Sequence, residues 1–124
     1  MSFLKFLVII LLPISWASES IEELSFFFEG KETKIPMVSF NGAEFNTDCT
    51  KSLKSCDAYK AYNGKPKKLK KDNSGSIALS YCKTLNSTPV LLKNKKDEEF
   101  AFCLFEDLSF VKAWDIYHKH WEEK

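Results

Sequence analysis

The sequence predicts an α+β fold: a small disulfide-stapled domain with a β-hairpin meander as its N-terminal half and then helix–β-hairpin–helix. Three observations carry this. Apolar and aromatic runs across residues 24–45 are punctuated by glycine-bearing turns, the pattern of short antiparallel strands. Ala78, Tyr81, Cys82 and Leu85 recur at helical spacing behind a capping Ser76. Four cysteines follow an apolar leader, the usage of an oxidising compartment.

The leader comes first. Lys5 gives a positive start, Phe6 to Leu12 is unbroken apolar sequence, and Pro13 ends it. Ser15-Trp16-Ala17 then supplies small residues where a signal peptidase reads them. The apolar part, about 12 residues, is short of the ~20 that a spanning helix needs. Residues 1–17 are therefore read as a signal peptide, with 18–124 as one mature domain, periplasmic or extracellular. Within it, 18–63 form the meander and a helix, 64–75 a lysine-rich loop, and 76–121 the second half.

Ile21 to Phe28 predicts a first strand, Glu29 to Glu32 a turn, and Thr33 to Phe40 a second strand with Pro36 toward an edge. Asn41-Gly42 predicts a tight turn into a short strand, Ala43 to Phe45. Asp48 is placed to cap a helix over roughly Thr50 to Tyr62, which Gly64-Lys65-Pro66 stops. After Ser76 the second helix runs to Leu85, with Asn86 as a left-handed cap and Pro89 forbidding continuation. Val90 to Leu92 and Glu99 to Phe105 make a hairpin. Alternation puts Ala101, Cys103 and Phe105 on one face of its second strand, and Phe100, Phe102 and Leu104 on the other. Both faces are apolar, so this strand should be covered twice. Asp107 or Ser109 should begin a last helix in which Phe110, Trp114, Tyr117 and Trp121 form one aromatic stripe.

Cys49, Cys56, Cys82 and Cys103 allow three pairings. The small residues Ala101 and Cys103 let the Ser76–Leu85 helix approach its strand, which favours Cys82–Cys103. Cys49 and Cys56 in one continuous helix would stand about 10.5 Å apart along its axis, beyond the ~7 Å a disulfide tolerates. Either Cys49 precedes the helix on a chain that folds back, or each pairs elsewhere. No pair has the close spacing of a zinc site, and no metal or cofactor is expected. Acidic Glu106-Asp107 and apolar neighbours argue against Cys103 as a nucleophile.

Every basic residue is lysine, so the planar arginine fork that reads base edges is missing and no specific nucleic-acid partner is expected. Without Lys5 the lysines equal the carboxylates in number. Lys65, Lys67, Lys68, Lys70 and Lys71 are candidates for an anionic surface, weak membrane or glycan contact included, although such a loop is more often a soluble connector. Lys51, Lys54 and Lys60 join them as one basic region, and Asp97 to Glu99 with Glu106-Asp107 form an acidic one; if the two lie apart, the molecule is polarised for docking. Trp114, Tyr117 and Trp121 are candidate interface aromatics, with core packing as the heavier reading. His118 and His120 lie beside Asp115 and Glu122 and read as a solvated helix end with ordinary i,i+4 pairs. No phosphate loop, nucleophile elbow or catalytic carboxylate pair stands out.

Tyr81-Cys82, Cys103-Leu104-Phe105, Asp107-Leu108-Ser109 and Trp114 fall at spacings that resemble the bacterial domain of unknown function 333, a family labelled hemolysin. The resemblance spans Ser74 to Trp121. A Gly-Gly break of that family is Asn86-Ser87 here, a glycine after the aspartate is Leu108, and two later cysteines are Val111 and Trp121. Loss of those two together implies that they pair with each other in the family, leaving Cys82 with Cys103. The family transfers no catalytic residue, and its label implies a membrane-damaging role by analogy alone.

The expectation is thus a non-enzymatic binding or inhibitor-like module of the cell envelope, its partner an unidentified protein or envelope component. A secreted membrane-active or toxin-like protein is the alternative. Intact-mass spectrometry of the exported protein is expected to show a chain beginning at Ser18; a retained leader would contradict the signal-peptide reading.

Overall fold

The computed structural model describes residues 21–69 and 76–122. The leader and Lys70, Lys71 lie outside the described residues. Two hairpins open the chain. Strand β1 (Glu22–Phe28) and β2 (Lys31–Phe40) meet across Glu29 and Gly30, and β2 joins β3 (Ala43–Asn46) across Asn41 and Gly42. All four turn residues have positive φ, the geometry that matches the twist of flanking strands. At Gly42 a Cβ would also stand 3.2 Å from the Tyr62 hydroxyl. Pro36 pairs with Glu23, one residue before the β2–β3 ladder begins at Met37–Asn46. It occupies an edge-like position, where its missing N–H is tolerated.

The expected helix over Thr50 to Tyr62 is broken. It consists of α1 (Thr47–Lys51), a 3₁₀ turn (Leu53–Ser55) and α2 (Asp57–Asn63). Ser52 and Cys56 leave helical geometry, and that fold-back brings the Cys49 and Cys56 Cα atoms to 5.2 Å in a disulfide. Asp48 does not cap: it lies inside α1, whose N-cap is Asn46. The Asn46 side chain is used elsewhere, accepting the Phe110 N–H at 2.9 Å.

Helix α3 (Ile77–Thr84) forms as its sequence predicts. Ser76 Oγ accepts the Leu79 N–H at 3.5 Å, and Asn86 has φ +62°. The hairpin β4 (Thr88–Lys93) and β5 (Glu99–Leu104) follows. Cys82 of α3 is bonded to Cys103 of β5, with Cα atoms 5.2 Å apart.

The next segment departs from expectation. Phe110–Lys112 is a strand, β6, and α4 (Ala113–Tyr117) starts only after it, continuing into a π-helical turn (His118–Glu122). With β6 the sheet closes: the predicted meander, β1-β2-β3, is one part of an antiparallel barrel in the order β1-β2-β3-β6-β5-β4, which takes the place of the expected helix–hairpin–helix arrangement. The coarser α+β, disulfide-stapled reading holds.

Two cores result. Leu24, Met37, Leu92, Phe102 and Phe110 fill the barrel. Phe45, Cys103 and Val111 face outward, under Tyr62, Tyr81, Cys82 and Ile116 of the helices. β5 is therefore covered on both faces, as its alternation requires. The predicted single aromatic stripe dissolves: Phe110 lies in the barrel, Trp114 and Trp121 are exposed, and Tyr117 packs edge-on against Tyr81.

The turn from β5 to β6 holds α2 in place. Asp107 Oδ2 accepts the Asp57 N–H and Ser109 Oγ accepts the Ala58 N–H, both at 2.9 Å. These N–H groups have no partner inside the helix. Ser109→Ala strands the buried Ala58 donor, and urea unfolding is expected to show a loss of about 1–3 kcal/mol. Ser55→Ala, removing an exposed hydroxyl, should stay within about 0.5 kcal/mol.

Candidate functional site

The β1–β2 turn, the β5–β6 turn and the start of β4 converge at one end of the barrel, as the registers Phe28–Lys31, Thr88–Leu104 and Leu104–Phe110 require. That end is not filled. A cavity of about 910 Å³ opens there, lined by Phe26 and Phe28 of β1, Ile35 of β2, Val90 of β4, Leu104 of β5 and Phe110 of β6. Alternation along each strand points these side chains inward. Phe26 forms the floor, its ring edge-on to Phe110 at 6.0 Å and 6.3 Å from Phe28. The barrel seam on this side is short: β1 pairs with β4 only at Ser25–Lys93, whereas β1 and β2 pair along the whole of β1. Above that bridge Phe26 to Phe28, Thr88 and Val90 border the opening.

The rim exposes large apolar side chains. Phe28 is 60% exposed and Leu108 71%. Leu108 holds φ +69°, a left-handed conformation that costs a non-glycine residue roughly 1–2 kcal/mol. The turn survives without glycine because Leu108 N–H donates to the Phe105 carbonyl at 2.8 Å and Phe105 N–H to the Ser109 carbonyl at 2.9 Å. Asp107 anchors the same turn. Burial would raise its pKa, but hydrogen bonds from the Ser109 hydroxyl and the Asp57 N–H outweigh that and hold it below the ordinary value. Asp48, with its side chain 86% exposed, stands at the cavity edge and pairs loosely with Lys51 at 3.7 Å.

The residues singled out in the sequence fall elsewhere. Lys65, Lys67 and Lys68 are exposed, and none lines the cavity. Their segment is tied down, since the Lys67 N–H donates to the Tyr81 hydroxyl at 3.0 Å and Leu69 packs on the helical core. Of the acidic residues, Asp107 abuts the helix that carries Lys60. All four sulfurs are consumed in disulfides, which removes them as nucleophiles or metal ligands. Two disulfides are compatible with an oxidising, exported compartment. Among the described residues no helix is long and apolar enough to cross a membrane.

His120 corrects the solvated-end reading. The π-helical turn rotates it inward to 8% exposure. Its Nε2–H donates to the Tyr62 carbonyl at 3.1 Å, so Nδ1 is the acceptor for the Tyr81 hydroxyl. His118 stays outside, stacked on Trp114. Asp115, expected to pair along its helix, instead accepts the Glu44 N–H at 2.9 Å. Burial raises both carboxyls above their ordinary values, opposed at Glu44 by Lys112 and at Asp115 by the Glu44 N–H. This pair fastens α4 to β3, a structural task.

No family model matches the chain, and no curated protein or solved structure matches it either.

The buried imidazole sets a pH dependence. Burial holds the His120 pKa below 6.5, against the hydrogen bond to Tyr62. Its stabilisation is complete above the unfolded value of about 6.5 and declines as pH falls from there toward the folded pKa, because the unfolded chain takes up the proton first. Urea midpoints are expected to fall below pH ~6.5 in the parent and stay flatter in His120→Gln. Glu44 and Asp115 act in the opposite sense, so the difference between the two proteins isolates the histidine.

Proposed function

We propose that this protein is a non-enzymatic binding module of the exported compartment whose barrel mouth receives an apolar group. One observation carries the reading: a cavity of about 910 Å³ at the unfilled end of the barrel, rimmed by exposed Phe28 and by Leu108 in a strained backbone. Its size falls in the range of small-ligand sites, and barrel mouths are where such sites occur. Leu108 contributes little to the core at 71% exposure, so the strain it stores finds its use in a contact made outside the folded chain.

The second half is read as related to the domain of unknown function 333, with Cys82, Cys103, Asp107 and Ser109 as its frame. That relation supplies no activity. The membrane-active alternative draws on the same exposed Phe28 and Leu108, but Asp48 and Asp107 beside them disfavour an anionic bilayer.

The neutral dye N-phenyl-1-naphthylamine tests the reading, because its fluorescence rises in an apolar site. Saturable binding is expected, and Val90→Phe, which fills the cavity, is expected to abolish it while the unfolding transition persists. Leu108→Gly should weaken binding without loss of stability, since relief of the left-handed strain offsets the extra freedom glycine gives the unfolded chain. Equal binding by all three proteins would place the dye elsewhere and overturn the reading.

A further inference from the structure

Resting on the apolar-mouth reading, we infer that the occupant is an extended segment of a partner protein that carries a lysine or arginine beside its apolar anchor. Two grooves meet at the rim. Next to the apolar cavity lies a smaller one of about 260 Å³, lined by Asp48, Asp107, Ser52 and Ser55, and the two share Asn46, Asp48 and Leu108. Leu108 lies between them, with a mostly apolar lining on one side, Asp107 and three serines on the other, and Asp48 bordering both. A ligand that fills both must change from apolar to cationic within one or two residues.

The carboxylates remain available as charge. Among the described residues Asp48 meets the far end of Lys51 at 3.7 Å, with both side chains exposed. The Asp107 oxygens accept N–H and O–H groups from Asp57 and Ser109, which stabilise its negative charge without cancelling it. An anionic headgroup, such as a fatty-acid carboxylate, would be repelled here. The third observation selects polypeptide over a cationic amphiphile. Ladder pairing of β1 with β4 ends at Ser25–Lys93, so the strand edges beside Phe26 to Phe28 and Val90 open onto the cavity. Strand edges are templates for another main chain, and side chains of an added strand alternate into adjoining pockets.

Selection from a phage-displayed library of random linear peptides on the oxidised, exported protein tests this, with counter-selection on Val90→Phe. Enriched sequences are expected to place Lys or Arg within two positions of an aliphatic or aromatic residue and to displace N-phenyl-1-naphthylamine. Asp48→Asn should weaken such a peptide about two- to fivefold, the scale of one exposed ion pair, and weaken the neutral dye less than that. High salt should weaken the peptide and spare the dye. Enrichment without a basic residue, or none at all while the dye still binds, overturns this inference and leaves the apolar-mouth reading standing. Displacement of the dye by dodecyltrimethylammonium but by no selected peptide overturns the polypeptide assignment. Failure of the dye itself overturns both.

Discussion

The turn at Asp107–Ser109 is the constraint on which the remaining architecture hangs. α2 spans only Asp57–Asn63, too short to persist on propensity, and two of its N-terminal N–H groups are satisfied from this turn. A third, that of Tyr59, points at the Cys56 sulfur at 3.4 Å. The same three residues reverse the chain from β5 into β6, and β6 closes the barrel. Phe110 follows immediately, its N–H received by buried Asn46 of β3. Removal of this turn would loosen helix, strand and closure together, since each rests on backbone groups with no other partner in the segment.

Stability is distributed unevenly around the barrel as a consequence. Both disulfides, helices α1 to α4 and the Tyr62–His120–Tyr81 chain of hydrogen bonds gather outside β3, β6 and β5. The β2–β3 turn is clamped from that side as well, for Tyr62 donates to the Asn41 carbonyl at 2.8 Å and Asn41 to the Tyr59 hydroxyl at 2.9 Å. Opposite, Phe27 of β1 and Leu91 of β4 face solvent, each more than half exposed. The two closing seams are equally short, one pair each: Ser25–Lys93 between β1 and β4, and Phe45–Val111 between β3 and β6.

The sequence made the local elements legible. Serine before an apolar stripe, asparagine after it and glycine in two-residue turns act on adjacent backbone, so α3 and both early hairpins could be read directly. Cys82 with Cys103 was legible for a related reason: small residues on a doubly covered strand leave room for one helix. Closure was not legible. β3 meets β6 through the single pair Phe45–Val111, far apart in the chain, and Phe110 to Lys112 sits at helical spacing from Trp114 and Tyr117. Likewise nothing local announced a π-helical turn, which moves His120 by a fraction of a turn from water into the core. The mouth was half visible. Phe26 to Phe28 read as strand, but a cavity exists only once six strands place their inward residues at one end.

Leu108 shows where local rules and the site part company. Its turn favours glycine, and a glycine would lower backbone strain at no loss of packing, since the side chain is mostly in water. A leucine is tolerated because Asp107 and Ser109 determine the turn from both sides. The anchoring that secures α2 thereby fixes an apolar side chain at the boundary between an apolar cavity and an acidic groove. Pre-ordering of this kind lowers the entropy lost on contact with a partner. Frame and rim are therefore one device: the hydrogen bonds that hold the fold together also fix the backbone of Leu108, the most exposed large apolar residue among those described.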